Sequence, residues 1–119
     1  LLQLDNLGRL AFQYWNGSSV AGFAATGLSA PSLNSWTHVA LSVSGTTAYL
    51  AVGGSTESGS ITGITRPSTN PSFAIGTIPG ETGTSSTAFV GYIDDVRVTK
   101  SVARYTSNFT PRTTAFPNS

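Results

Sequence analysis

The sequence predicts an all-β fold, an antiparallel sandwich of two sheets. Three observations carry that expectation. Apolar and polar residues alternate with a period of two in several short runs, which sends successive side chains to opposite faces of a strand. Turn-forming residues punctuate those runs, and the chain contains 13 glycines and 6 prolines. Charged residues make up only 9% of its 119 residues, far below the roughly 25% of ordinary globular chains. Disorder would need low hydrophobicity as well, and 39% hydrophobic content with six Phe, four Tyr and two Trp supplies a core.

The elements follow in order. Residues 1–4 (Leu-Leu-Gln-Leu) read as a strand, and Asp5-Asn6-Leu7-Gly8 as a turn into the strand that begins at Arg9. Leu10, Phe12 and Tyr14 alternate with Ala11, Gln13 and Trp15. Asn16-Gly17 follows at once and predicts a type I′ hairpin, because that turn needs positive φ at both central residues. The return strand is 19–25, so the first 25 residues form a three-stranded meander. Residues 26–35, with Gly27, Pro31 and Asn34, form a loop. Trp36-Thr37-His38-Val39-Ala40-Leu41-Ser42-Val43 opens a strand, Ser44-Gly45-Thr46 turns it, and 47–52 returns until Gly53-Gly54. Residues 57–64 suit a short edge strand, 66–71 a loop, 72–78 a strand and 79–87 a Gly/Ser/Thr-rich loop. Residues 89–98 read as one buried closing strand with an acidic pair at its centre. A turn of helix at 100–105 and an extended, proline-containing tail end the chain. The organisation expected is one sandwich domain, 1–105, with a tail, 106–119, packed on its own sheet or on a neighbour.

Composition limits the function classes. Six basic and five acidic residues give a net charge of +1, and no basic stripe supports nucleic-acid binding. Without cysteine no disulfide staples the fold. No apolar run approaches the length of a membrane span, so membrane insertion is not expected. The chain lacks Met and begins in strand-like sequence, as expected of a processed product, an excised domain or the ordered part of a longer chain.

Two phrases resemble one family. Trp36-Thr37-His38-Val39-Ala40, a hairpin, then Ala51-Val52-Gly53-Gly54 is similar to the middle of concanavalin A-like, laminin G-like domains, with Gly53 where that family usually carries Asn. The phrase Gly91-Tyr92-Ile93-Asp94-Asp95-Val96-Arg97-Val98 and its continuation to Pro111 resembles the closing segment of those domains, especially phage-associated members. The resemblance implies a two-sheet jelly roll and a structural or adhesive surface role. The opening strand of the family has no counterpart here. Expected partners are further copies of the chain, a larger virion or cell-surface assembly, or surface glycans, and the expected location is extracellular or at a virion surface. The alternative function is a carbohydrate-binding module of a bacterial extracellular protein.

Candidate site residues are few. Asp94 and Asp95 could ligate Ca²⁺ or catalyse, but neighbours on a strand face opposite ways. A structural role suits them better, with a carboxylate accepting hydrogen bonds from backbone, His38 or Arg97. Ca²⁺ takes six or more oxygens, and Asp5, Asn6, Asn16 and Glu81 are scattered, so no cofactor is expected beyond at most a weak Ca²⁺ site. His38, the only histidine, recurs in the resembling family as a structural residue. Catalytic relatives carry a Glu-x-Asp-x-x-Glu strand, absent here, where the only glutamates are Glu57 and Glu81. No enzyme activity is expected. Tyr14 and Trp15 are the candidates for stacking on sugar rings, with Trp15 favoured beside its turn, and Trp36 is expected to pack. Asn16-Gly17-Ser18 and Asn108-Phe109-Thr110 match the N-glycosylation pattern.

Overall fold

The computed structural model describes residues 1–65, 74–77 and 88–116. Six strands form: β1 (Leu2–Leu4), β2 (Leu10–Trp15), β3 (Val20–Ala24), β4 (Val39–Ser44), β5 (Thr47–Val52) and β6 (Ser55–Ser60). They build two antiparallel three-stranded sheets, β1-β2-β3 and β4-β5-β6, and no helix forms among the described residues. The all-β expectation holds. The chain divides into two compact units, Leu1–Arg66 with Thr99–Thr114 and Pro67–Val98 with Ala115–Ser119.

Both sheets belong to the first unit, and turn chemistry sets their registers. The β1–β2 connection closes with Asp5 N–H donating to Arg9 O and Gly8 N–H donating to Asp5 O, both at 2.9 Å. Gly8 sits at φ +74, the left-handed residue of a three-residue hairpin with a bulge. The Asp5 carboxylate accepts from the N–H groups of Leu7 and Arg9 at 2.9 Å and pairs with the Arg9 guanidinium at 2.7 Å. That hydrogen-bonded guanidinium holds the Asp5 carboxyl below its ordinary range.

The Asn16-Gly17 hairpin departs from expectation. Trp15 pairs with Val20, so four residues form the loop. Gly17 is at φ +98 while Asn16 is not in the left-handed region, which excludes type I′. Asn16 instead caps the loop: its Oδ1 accepts from Ser18 N–H at 2.9 Å and Ser19 N–H at 2.8 Å, a side-chain substitute for a backbone turn. The two-positive-φ turn occurs at Gly53-Gly54, with φ +59 and +92 between the partners Val52 and Ser55. Gly53 therefore occupies a left-handed position that Asn also tolerates, which accounts for the exchange with the family's Asn.

The core lies between the sheets. Leu10, Phe12 and Ala25 face Ala48, Leu50 and Ile61, with Phe23, Leu41 and Val52 packed around them. Leu50 and Ile61 are the largest fully buried side chains, each worth about 2–3 kcal/mol in apolar burial. Gly59 on β6 admits the Phe23 ring: a Cβ there would stand 2.7 Å from it. The ring on β3 thus fits where β6 has no side chain.

The closing segment departs most from the sequence reading. Residues 89–98 form no strand, and they are exposed: Val90 96%, Tyr92 88%, Val98 77%. The alternating pattern suits a strand, but a strand needs a ladder partner, and none pairs with it among the described residues. Asp95, at φ +53, bends the chain there. Nor is there a turn of helix at 100–105, where Ser101 stands at φ +67. Of the expected strand 72–78, the described residues 74–77 form a bend, and its remaining positions, like the loops at 66–71 and 79–87, lie outside the described residues. The edge strand expected at 57–64 is β6, displaced toward the N-terminus.

Candidate functional site

Strand parity separates the two candidate sugar-stacking residues. Tyr14 shares the inner face with Phe12, stacks on it with ring centroids 5.5 Å apart, and its hydroxyl accepts from Thr62 N–H at 3.2 Å. Its ring and its polar tip are both engaged by the fold. Trp15 points to the opposite face and is 39% exposed. Its cross-strand partner Val20 is 64% exposed, and Gln13 lies two residues back on the same face. Gln3, paired with Ala11, continues that face. The result is an uncharged surface with one aromatic ring, two amides and a valine. Thr65 N–H donates to Trp15 O at 2.9 Å, which fixes the backbone beneath the ring.

Trp36, expected to pack, is 72% exposed. The strand starts only at Val39, so the indole stands in the preceding loop and contributes little to the core.

His38 is held by aromatic rings. Its imidazole meets Tyr105 edge-on at 5.4 Å and Phe109 edge-on at 5.3 Å, while those two rings stack at 4.1 Å. Tyr105 and Phe109 lie on a strap that crosses the outer face of β4-β5-β6. Along it, Tyr105 N–H donates to Ser42 Oγ at 3.0 Å and Thr56 Oγ1 donates to Ser107 O at 3.0 Å. Thr56 N–H donates to Asn108 Oδ1 at 2.9 Å and Phe109 N–H to Gly54 O at 2.9 Å. This accounts for the burial of Ser42 and Ala51, whose side chains face away from the inter-sheet core. A sequence signal for the strap existed in the aromatic pair Tyr105 and Phe109, four apart in a segment without helical caps.

Asp94, Asp95 and Arg97 gather in the second unit. Asp94 Oδ1 accepts from Asp95 N–H at 2.7 Å. Both Asp95 carboxylate oxygens lie 3.2 Å from Phe116 N–H, and the Arg97 guanidinium sits 5.0 Å above the Phe116 ring, a cation–π contact. Asp95 and Arg97 thus fasten Phe116, and Asp94 caps the Asp95 backbone. All three polar residues are exposed.

Among the described residues no group of three or more His, Asp or Glu side chains could hold a metal ion. Glu57 is committed elsewhere: its Oε2 accepts from Gly27 N–H at 2.7 Å. A groove of about 460 Å³ runs beside β4, lined by residues 41–45 and by Thr99, Ser101, Val102 and Ala103. Its hydroxyls and aliphatic side chains carry no charge.

A family model described as the concanavalin A-like lectin/glucanases superfamily, of the laminin G-like type, matches residues 1–104. No curated protein and no solved structure matches the chain. The matched region contains both sheets, Trp15, His38, Asp94, Asp95 and Arg97, and it points to a binding or structural module. With two packed antiparallel sheets and a family match over most of its length, the chain belongs to the concanavalin A-like lectin/glucanases superfamily, as a laminin G-like domain.

Proposed function

We propose that this domain is a non-catalytic structural and adhesive module that works by assembly with further copies of itself or within a larger extracellular particle surface, such as a phage tail, fibre or capsid decoration. The observation that carries the reading is the exposed apolar series at 89–98. Phe89, Val90, Tyr92, Ile93, Val96 and Val98 are between 46% and 96% exposed, an array large enough to mark an interaction surface rather than scattered apolar residues. Its alternation fits addition to a partner sheet, where backbone bonds give affinity and alternate side chains give selectivity. The surroundings of His38 and Glu57 favour a non-catalytic role. The imidazole is packed against two rings and the carboxylate is bound to a loop N–H, so neither is poised as a general base.

The test is polar substitution of the series. Val90→Lys with Tyr92→Lys should abolish concentration-dependent association in analytical ultracentrifugation and leave thermal stability unchanged, because both side chains are exposed. A parent protein that stays monomeric at high concentration and joins no particle would overturn the proposal.

A second reading is favoured by the uncharged face around Trp15. An indole with Gln13 next to it on the same face and Val20 across from it offers a stacking plane and an amide for hydrogen bonds, a combination suited to a neutral sugar. Glycan-array binding that disappears in Trp15→Ala and survives in Tyr14→Phe would support carbohydrate binding. An array with no binding would remove it.

A further inference from the structure

We infer that Asn16 is a site of spontaneous covalent modification: its side chain cyclises onto Gly17 and converts to aspartate and isoaspartate, a one-way charge change beside Trp15. The reaction needs a backbone nitrogen free to attack, an unobstructed approach and a polarised carboxamide. The Asn16 loop supplies all three. Gly17 N–H donates no hydrogen bond among the described residues, and Gly17 has no Cβ to crowd the attack. The Asn16 Oδ1 accepts from two backbone N–H groups, at 2.9 and 2.8 Å. Those donors draw electron density from Cγ and stabilise the oxyanion that forms when Cγ becomes tetrahedral, as backbone N–H pairs do in acyl transfer. Nδ2 lies 3.3 Å from Ser19 Oγ, a hydroxyl that can pass a proton to the departing nitrogen.

The other described asparagines lack this arrangement. Asn6 is followed by Leu7, whose N–H is bound to Asp5 Oδ1 at 2.9 Å. Asn108 is followed by Phe109, whose N–H is bound to Gly54 O at 2.9 Å. Asn34 is followed by Ser35, which carries a side chain.

The step balances without an added reagent beyond solvent water. Gly17 N loses its proton and bonds to Asn16 Cγ. The Cγ–Nδ2 bond breaks and ammonia leaves with that proton. Water then opens the five-membered imide at either carbonyl. Opening at one gives aspartate, which keeps a side-chain acceptor for Ser18 and Ser19. Opening at the other gives isoaspartate, which inserts a methylene into the backbone where Trp15 pairs with Val20. Either product lowers the formal net charge from +1 to zero and places a carboxylate next to the exposed indole. The inference does not rest on what Trp15 binds.

The test is incubation of the intact chain at mildly alkaline pH, folded and in urea, followed by ion-exchange separation and peptide mapping. An acidic species should accumulate in the folded chain at least as fast as in urea, with the amide-to-acid mass gain confined to the Asn16 peptide and part of it methylated by an isoaspartyl methyltransferase. Asn16→Gln, which retains an amide but must close a larger ring, should suppress the acidic species. Gly17→Ala should also slow it. Since Gly17 is at φ +98, where an L side chain strains the loop, the Gln variant is the deciding one. Conversion in urea with an intact Asn16 in the folded chain would overturn the inference, as would conversion that starts at Asn34 or Asn108.

Discussion

Replacing Gly54 by alanine tests whether the strap from Tyr105 to Pro111 is pressed onto the sheet or merely lies near it. Gly54 is buried at the β5–β6 turn, and a Cβ there would stand 2.2 Å from Phe109 O and 2.8 Å from Pro111 Cδ. The nearest obstacle is backbone, so no rotamer change relieves it. Position 54 is also at φ +92, and an L-residue in the left-handed region costs about 1–2 kcal/mol. Gly53 shares that strain at φ +59 but has nothing within 4 Å of its would-be Cβ. The pair therefore separates strain from collision. The strap's three bonds to β6 and its turn are worth about 1 kcal/mol each, and its stacked rings contribute about 0.5–1.5 kcal/mol more. The ordering of its backbone opposes this at about 1–2 kcal/mol per residue. Those bonds and the ring stack do not exceed that ordering cost, so the collision is relieved by release of the strap rather than by distortion of the core. Gly53→Ala should lose about 1–2 kcal/mol in urea unfolding from strain alone, with chymotryptic cleavage after Tyr105 and Phe109 unchanged. Gly54→Ala should lose about 2–3 kcal/mol as strain plus part of the strap's bonds, and those two cleavages should accelerate in the native state. Equal stabilities and equal cleavage in the two variants would refute the reasoning.

Asp95→Ala removes the acceptor for Phe116 N–H, and because the site is exposed the loss should be no more than about 1 kcal/mol, read by thermal melting; a loss of several times that would mean the acid is buried in an assembled state. Gly59→Val should fail to fold or lose several kcal/mol, as a side chain there meets the Phe23 ring; a normal melt would show that the sheets can separate at no cost. The Asp5 carboxyl titrates below its ordinary value of 3.8 because Arg9 hydrogen-bonds it, so its contribution is present above that value and disappears as pH falls through the lowered folded value. Asp5→Asn should therefore flatten the acid end of the stability curve and leave the neutral region nearly parallel to the parent, as measured by urea unfolding at stepped pH. A chelator should leave the melting temperature unchanged, since the described residues offer no cluster of metal ligands; a large downward shift would show a Ca²⁺ site.

What was legible in the sequence was local. The meander of β1, β2 and β3 and the hairpin of β4 and β5 follow from alternation and from turns closed within a few residues. The error at Asn16-Gly17 is also local: the dipeptide permits two hairpins, and the serines at 18 and 19 tip the balance by donating their N–H groups to the Asn16 side chain. The strap was not legible, because its partners are far away in sequence. Ser42 lies 63 residues from Tyr105, and nothing in either segment names the other. The inward placement of Tyr14 and the outward placement of Trp15 were half legible. Parity says that they differ, but which face is the core depends on the second sheet.

The segment 89–98 shows where periodicity stops being sufficient. Alternation is a statement about faces, and it reports that one side of a segment can be buried. It does not supply the neighbouring backbone that a ladder requires, and an isolated extended strand leaves every N–H and C=O to water. The first unit meets that requirement within itself: β2 and β5 are each paired on both sides, and the residues central to its core lie on or beside them. Segment 89–98 has the side chains of a central strand, but among the described residues its one backbone bond to another segment is from Phe89 N–H to Gly76 O, and no ladder pairs with it. Its apolar residues remain exposed while Asp94 and Asp95 direct their carboxylates to nearby N–H groups. A segment in that condition is more stable with a sheet edge beside it. The gain from apolar burial, roughly 25 cal/mol per Å², then adds to the backbone bonds, and the polar pair is free to bond across the new ladder. The residues that the alternating pattern marks as a strand are therefore the ones that the proposed assembly would bury.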